Sequence, residues 1–209
     1  MPAPATSIDD LRRELRERFP GAHQERPPAE SYRLPGLPPL PKATIAELVA
    51  SPAVSGSSLL ISFLLEEDDN DLPLALIDPA DSFDPASYHL RRPLLWLRSD
   101  NPKRSLKAAD LLLRDGNLPL VLIDLTLTPL RELQKLPSSS WYRLRTLAET
   151  SGTSLLALTP APLIAAAPAR HQLQNTLTLE HLHQVRTQLM PQLETQPLHQ
   201  EGTLLNQQS

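Results

Sequence analysis

The sequence predicts an α/β fold built around a mostly parallel β-sheet. From residue 44 onward, short and continuously apolar segments alternate with segments in which leucine recurs every three or four residues. This alternation is typical of strands joined by helices, and strands that are apolar at every position are those that a parallel sheet covers on both faces. We therefore expect one α/β domain over residues 44 to 175, preceded by residues 1 to 43 and followed by residues 176 to 209.

The first segment predicts an amphipathic helix on a proline-rich tether. Over residues 8 to 19, Leu11, Leu15 and Phe19 fall on one helical face among arginine and acidic side chains. Residues 20 to 43 hold seven prolines, which keep the backbone extended and exclude a helix. The apolar stripe either binds a partner protein or folds back onto its own domain, and the sequence does not choose between the two.

Five strands and three helices are predicted in the α/β domain. The strands are expected in the apolar segments TIAELVAS, PLALIDP, PLLWLRS, LPLVLIDL and TSLLALTP. The helices are expected near residues 57 to 67, 103 to 114 and 140 to 150. A weakly amphipathic helix is expected over residues 179 to 193, with Pro191 near its end and a polar, disordered terminus beyond it.

The composition argues against several classes of protein. The chain has 209 residues and a net charge of −4 without a block of lysine or arginine, so nothing in it is typical of a dedicated nucleic-acid binder. It has no cysteine, which excludes disulfides, thiolate catalysis and cysteine-based metal sites. No apolar run approaches the ~20 residues of a membrane span, and the first residues lack the apolar core of a signal peptide, so a cytoplasmic protein is expected.

A degraded phosphate-binding loop follows the first predicted strand. The segment SPAVSGSS stands where G-x-x-x-x-G-K-[ST] is expected, but only Gly56 and Ser58 fit the pattern. Ser51 replaces the first glycine, and Ser57 replaces the lysine that neutralises the terminal phosphates, so we predict that efficient hydrolysis is lost. Two interpretations stay open: the serines cap the helix, or its amides hold an anion without the lysine.

Acidic residues follow two of the other predicted strands. Asp124 ends the segment LPLVLID and either caps a loop or holds magnesium. Asp78, Asp81 and Asp84 lack the glycine and the closing glutamate of an EF-hand loop, so turn and cap roles are predicted for them. No nucleophile, catalytic residue or metal site is predicted.

The order of these segments resembles the RecA-like core and, within it, the ImuA-type proteins associated with translesion DNA synthesis, over roughly residues 8 to 165. The phrases LIDPADSFDP, ADLLLRDGNLPLVLIDL and WYRLRTLAE are its most specific part. The resemblance implies a three-layer α/β/α sheet of the P-loop NTPase type and an SOS-type role in DNA-damage tolerance. It also implies partners in an error-prone polymerase assembly: an ImuB-like Y-family polymerase homologue and a replicative-type polymerase subunit. Contact with DNA is then expected to be indirect, and no membrane partner is implied.

Carried over position by position, the RecA-type active site is incomplete. Besides Ser57, Ala80 stands where the resemblance implies a water-activating glutamate, and Pro160 where it implies a γ-phosphate-sensing glutamine. Each such group contributes orders of magnitude in rate, so the resemblance implies a pseudo-ATPase rather than an enzyme. Tyr88 lies one residue out of register from the position that packs on adenine. The residual nucleotide site, expected to bind ATP with magnesium at most weakly, comprises Gly56, Ser57, Ser58, Asp84 and Asp124.

Two other functions stay open beside a non-catalytic adaptor. The first is a residual ATP-binding switch or slow ATPase, which requires anion binding at the helix start near Gly56. The second is a module that binds single-stranded DNA through a group of basic side chains. The alternative is that these side chains form an ordinary solvated surface. The basic residues in question are Arg91, Arg92, Arg98, Lys103 and Arg104.

Overall fold

The computed structural model describes residues 31–32, 38–50, 56–66, 72–174 and 178–198. Its strands are β1 (Ser31–Tyr32), β2 (Leu40–Pro41), β3 (Ile45–Val49), β4 (Leu74–Asp78), β5 (Leu94–Arg98), β6 (Leu120–Asp124), β7 (Ser154–Thr159), β8 (Ala169–Leu173) and β9 (Thr195–Pro197). Its α-helices are α1 (Gly56–Glu66), α2 (Pro102–Asp115), α3 (Leu130–Leu133), α4 (Ser138–Ser151) and α5 (Arg186–Leu189). None of these helices has the length and apolar character that crossing a membrane requires.

Seven strands form one sheet in the order β5-β4-β6-β7-β3-β8-β9. All neighbouring pairs are parallel except β8 and β9, which are antiparallel. The four central strands, β4, β6, β7 and β3, are buried at every position. Their sequences are almost continuously apolar because side chains on both faces meet helices rather than water. The sheet is therefore mostly parallel, as the sequence predicts.

Helical segments cover both faces of this sheet. On one face, Leu60 and Leu64 of α1 belong to the same buried cluster as Leu48 and Leu76 from the strands. On the other face, α2 and α4 pack against the alternate strand residues, such as Ile77. Two buried layers of apolar side chains therefore flank the sheet, which is compatible with the predicted three-layer arrangement.

Local residue types set the ends of α2 and α4. The Asn101 side-chain oxygen caps α2 by accepting a hydrogen bond from the Arg104 N–H at 3.0 Å. Gly116 and Gly152 follow the two helices with φ of 70° and 79°, a left-handed conformation that glycine adopts without strain. The helices therefore stop where the chain turns back into β6 and β7.

All five predicted strands and all three predicted helices of the α/β domain are confirmed, within two residues of their expected ends. The proline-rich segment is extended at β1 and β2, as predicted, and Leu40 of β2 is only 4% exposed, so this part of the tether joins the core. The helix predicted over residues 8 to 19 lies outside the described residues.

The C-terminal segment differs from the single helix expected over residues 179 to 193. It forms 3-10 turns on either side of the four-residue α5, and then β9, which extends the sheet. Pro191 has no N–H for an α-helical hydrogen bond, which explains why the helix does not continue. Leu189 and Leu193 are 5% and 4% exposed and join the α1 cluster, so this segment covers the core. The terminus from residue 199 lies outside the described residues.

Candidate functional site

The predicted nucleotide site maps to the carboxyl edge of the sheet, where β3, β7 and β6 are neighbours. α1 begins at Gly56 after β3 ends at Val49, and residues 51 to 55 lie outside the described residues. Asp124 is the last residue of β6, and Asp78 is the last residue of β4. Because these strands are parallel, the start of α1 and both aspartates lie at one edge.

The first turn of α1 has no charged side chain. Its sequence is GSSL, in which Ser57 is half-buried and Ser58 is exposed. An anion there would meet only backbone amides and hydroxyl groups, together with the helix dipole. Ser57, which is predicted to replace a phosphate-binding lysine, therefore lies in the first turn of α1. A bound phosphate would meet no positively charged side chain in this turn.

The Asp124 carboxylate caps a loop. Its Oδ1 accepts hydrogen bonds from the Thr126 N–H at 3.0 Å and from the Thr126 hydroxyl at 2.6 Å. The residue is 9% exposed, and burial raises its pKa; the two hydrogen bonds oppose the rise and the nearby Asp78 carboxylate adds to it. The cap interpretation is therefore observed, while a magnesium-holding role stays a prediction.

Asp78 fixes the turn that follows β4. Its buried carboxylate accepts hydrogen bonds from the Phe83 N–H at 2.9 Å and from the Ser82 hydroxyl at 3.3 Å. Ala80, at the position where the resemblance implies a water-activating glutamate, is exposed in the same turn. The turn role predicted for Asp78 is confirmed, and the described residues contain no cluster of three or more side chains that could hold a metal ion.

Asp84 has the cap role that the sequence predicts. It precedes the 3-10 turn Pro85–Ser87, and its carboxylate accepts hydrogen bonds from the Ala86 N–H at 3.1 Å and from the Ser87 hydroxyl at 2.8 Å. These bonds hold Asp84 within its own loop. Its assignment to a nucleotide site stays a prediction.

The Tyr88 ring is engaged by two protein groups. It stacks on Phe83 with ring centroids 4.9 Å apart, and the Arg186 guanidinium lies 4.8 Å from its centroid. Arg186 also donates a hydrogen bond to the Ser87 carbonyl at 2.9 Å and lies 3.6 Å from Glu66. Burial is the main cause of the raised pKa of the Tyr88 phenol. An adenine base that stacked on Tyr88 would have to displace one of these groups.

A buried carboxylate that the sequence analysis missed lies beneath the same edge. Glu47, in the middle of β3, is 0% exposed and accepts hydrogen bonds from the Thr159 hydroxyl and from two loop amides after β7, at 2.7 to 3.2 Å. It also pairs with Arg170 of β8 at 2.8 Å. This network holds the loop that contains Pro160. The sequence does mark this residue, because an acidic side chain inside the apolar strand IAELV must be buried with hydrogen-bond partners.

The basic residues considered for DNA binding differ in their surroundings. Arg92 is only 5% exposed and donates hydrogen bonds to two backbone carbonyl oxygens at 2.7 and 3.3 Å, so its prediction as a surface charge is wrong. Arg98 and Arg104 lie 3.7 and 2.6 Å from aspartate oxygens. Arg91 and Lys103 are exposed. Three of the five side chains are therefore occupied by contacts within the protein.

The residues predicted to bind a partner, Leu11, Leu15 and Phe19, lie outside the described residues. Comparison with known proteins adds no family assignment: no protein-family model matches the chain, and no curated protein matches it significantly. The fold and the residues at its carboxyl edge therefore carry the functional inference.

Proposed function

We propose that the chain is a non-catalytic RecA-like adaptor in DNA-damage tolerance. The observation that carries this proposal is the start of α1, which follows the first strand of the main sheet and has Ser57 in place of a phosphate-binding lysine. Phosphoryl transfer depends on positive charge at the β- and γ-phosphates, and a serine hydroxyl supplies none. The missing charge at the start of α1 favours a binding function over catalysis.

The architecture around this loop supports the proposal. The mostly parallel sheet, with helices on both faces and β7 between β3 and β6, is compatible with a RecA-like core. Asp124 is a buried loop cap whose Oδ1 already accepts two hydrogen bonds from Thr126, which leaves this oxygen less available to magnesium. Ala80 and Pro160 offer neither a general base nor an amide to a bound nucleotide.

The resemblance to ImuA-type proteins supplies the proposed pathway and partners. We propose that the chain acts in the cytoplasm in SOS-type translesion synthesis. There it would bind an ImuB-like Y-family polymerase homologue and an error-prone polymerase subunit, and reach DNA through them. The N-terminal stripe of Leu11, Leu15 and Phe19 is the proposed attachment point, because an amphipathic helix on an extended tether can reach the core of a partner.

Co-elution of the full chain with the Y-family polymerase homologue of the same organism tests the adaptor role. We expect a stable complex in size-exclusion chromatography with light scattering. The triple variant Leu11→Ala, Leu15→Ala, Phe19→Ala should elute separately. Arg13→Ala with Glu17→Ala, on the side of the predicted helix opposite the stripe, should still bind. Absence of a complex at tens of micromolar would contradict the adaptor role. A complex that survives the triple substitution would contradict only the attachment point.

A residual nucleotide switch is the second candidate function. It is favoured by the two neighbouring carboxylates, Asp78 and Asp124, at the same sheet edge as the start of α1. A ligand that binds the folded state must raise the unfolding midpoint. A rise with Mg-ATP in the unmodified chain would support the switch, and no rise at millimolar Mg-ATP would remove it.

A further inference from the structure

A groove with an apolar floor runs between α2 and α4 on the outer face of the molecule. Its volume is about 440 Å³, within the range of ligand-binding clefts. Its floor is formed by Leu106, Leu136 and Leu144, which are 7%, 9% and 2% exposed. None of the predicted nucleotide-site residues lines it. We call this surface the α2–α4 groove.

The rim of the α2–α4 groove is positively charged. Lys103 and Lys107 lie on the α2 side, and neither forms an ion pair within the described part of the chain. On the α4 side, Arg143 donates hydrogen bonds to Asp110 at 2.7 and 3.2 Å. Arg114, which belongs to α2 and does not line the groove, also lies 2.8 Å from Asp110. Three cations, Lys103, Lys107 and Arg143, therefore line the groove with a single carboxylate, Asp110, on a chain whose net charge is −4. Such a local excess of positive charge attracts negatively charged groups.

We infer that the α2–α4 groove binds an acidic amphipathic segment of a partner protein. Leucine-like side chains at i, i+3 or i+4, and i+7 of a bound helix would contact the floor. Carboxylates beside them would reach Lys103 and Lys107, and rim charges of this kind set partner choice and association rate. Asp110 is already paired twice, so it leaves the two lysines as the uncompensated charges of the groove.

Two features favour a peptide over a nucleic acid in the α2–α4 groove. The residues that line it include no aromatic side chain, whereas single-stranded nucleic acids are held largely by bases stacked on aromatic rings. A floor of leucines is matched by apolar side chains, which nucleic acids lack.

This inference adds the chemistry of a partner to the proposed adaptor, but it stands on the α2–α4 groove alone. If the α2–α4 groove does not bind the peptide, the adaptor role is unaffected, because the polymerase homologue could bind elsewhere. A failed adaptor role would leave the groove to another acidic protein. The two outcomes are distinguished because the groove is tested with a defined peptide rather than with the polymerase.

Fluorescence anisotropy of the full chain with a labelled helical peptide of about 15 residues tests the inference. The peptide carries leucines at the spacing given above and glutamates on the flanking positions. We expect saturable binding that weakens about tenfold or more in the variant Lys103→Glu with Lys107→Glu. The matched variant Arg91→Glu with Arg131→Glu makes the same change in net charge outside the groove and should bind as the unmodified chain does.

Control ligands separate the possible occupants. Peptides with lysine in place of glutamate, or serine in place of leucine, should bind more weakly than the acidic leucine peptide. Equal binding by the Lys103→Glu, Lys107→Glu variant would overturn the inference, as would stronger binding of a single-stranded oligonucleotide. A dimer of the chain that the same double substitution disrupts would assign the groove to a second copy and would also overturn it.

Discussion

The Glu47 carboxylate connects four separate parts of the chain: β3, the end of β7, the following loop and β8. Its partners lie 112 to 123 residues away in sequence, and all of them donate hydrogen bonds to the one buried carboxylate. A buried charge is stable only when its hydrogen bonds are satisfied. The loop after β7 is therefore fixed by a side chain beneath it.

Glu47→Gln should destabilise the fold strongly. The substitution removes the charge that faces the Arg170 guanidinium, which is only 13% exposed, so Arg170 is left buried without its partner. We expect a loss of about 3 to 5 kcal/mol in the free energy of unfolding, measured by urea denaturation. Asp100→Asn, which breaks the exposed pair with Arg104, is the control and should change stability by less than about 1 kcal/mol. Equal effects would contradict the proposed importance of the Glu47 network.

Asp124 should make stability depend on pH. Its folded-state pKa is raised, mainly by burial, so the folded protein holds this proton more tightly than the unfolded chain. The free energy of unfolding should therefore fall as the pH rises above the unfolded value of about 3.9. Asp124→Asn keeps an oxygen for Thr126 and removes the titration. The variant should equal or exceed the parent in stability at pH 7, with the difference shrinking toward pH 4. A variant less stable than the parent by more than about 1 kcal/mol at pH 7 would show that the ionised carboxylate is favourable.

Among the elements, the C-terminal segment is the one whose role differs most from expectation. Leu189 and Leu193 are buried in the α1 cluster, and Arg186 joins the segment to Glu66 at the end of α1 and to Tyr88. β9 then extends the sheet beyond β8. The segment therefore completes the layer that α1 begins.

Leu189→Ala and Leu193→Ala, made separately, test this packing. Each removes a buried leucine side chain and should lower the free energy of unfolding by about 2 to 5 kcal/mol. Val185→Ala is the matched control, because Val185 is 58% exposed in the same segment. If all three variants unfold at the same denaturant concentration, residues 178 to 198 do not belong to the cooperative core.

The elements that could be predicted from the sequence are those whose burial alone determines their residue pattern. β3, β4, β6 and β7 are buried on both faces, so their apolar runs identify them. β8 has the polar sequence ARHQL and is half-buried near the edge of the sheet, so no apolar run marks it. The C-terminal helix was predicted from weak periodicity, and Pro191 together with burial of Leu193 produces a different local structure.

The candidate site could be predicted only in part. Parallel strands have their carboxyl ends at the same edge of a sheet. Gly56, Asp78 and Asp124 each lie at or after the end of such a strand, so their common location could be predicted. Glu47 could not be placed, because its partners come from distant segments. The contacts of Tyr88 with Phe83 and Arg186 likewise depend on how the C-terminal segment packs.

At the scale of the whole molecule, the proposal is that a nucleotide-hydrolysing fold is retained without its chemistry. Under this proposal Ser57 replaces the phosphate-binding lysine, so Ser57→Lys should partly restore nucleotide binding. We expect the variant to unfold at a higher temperature in millimolar Mg-ATP, while the parent is unaffected. Ser58→Lys, one residue further along α1, is the control and should show no rise. A rise in the parent as large as in Ser57→Lys would mean that the lysine is not what is missing.

The proposed loss of catalysis can be measured as the release of inorganic phosphate from Mg-ATP, by the full chain alone and mixed with the Y-family polymerase homologue. We expect no release above the rate without protein in either case. Under the proposed resemblance, Ser57, Ala80 and Pro160 stand in place of the phosphate-binding lysine, the water-activating glutamate and the γ-phosphate-sensing glutamine. Multiple-turnover release that Asp124→Asn abolishes would contradict a non-catalytic function and identify the chain as an ATPase.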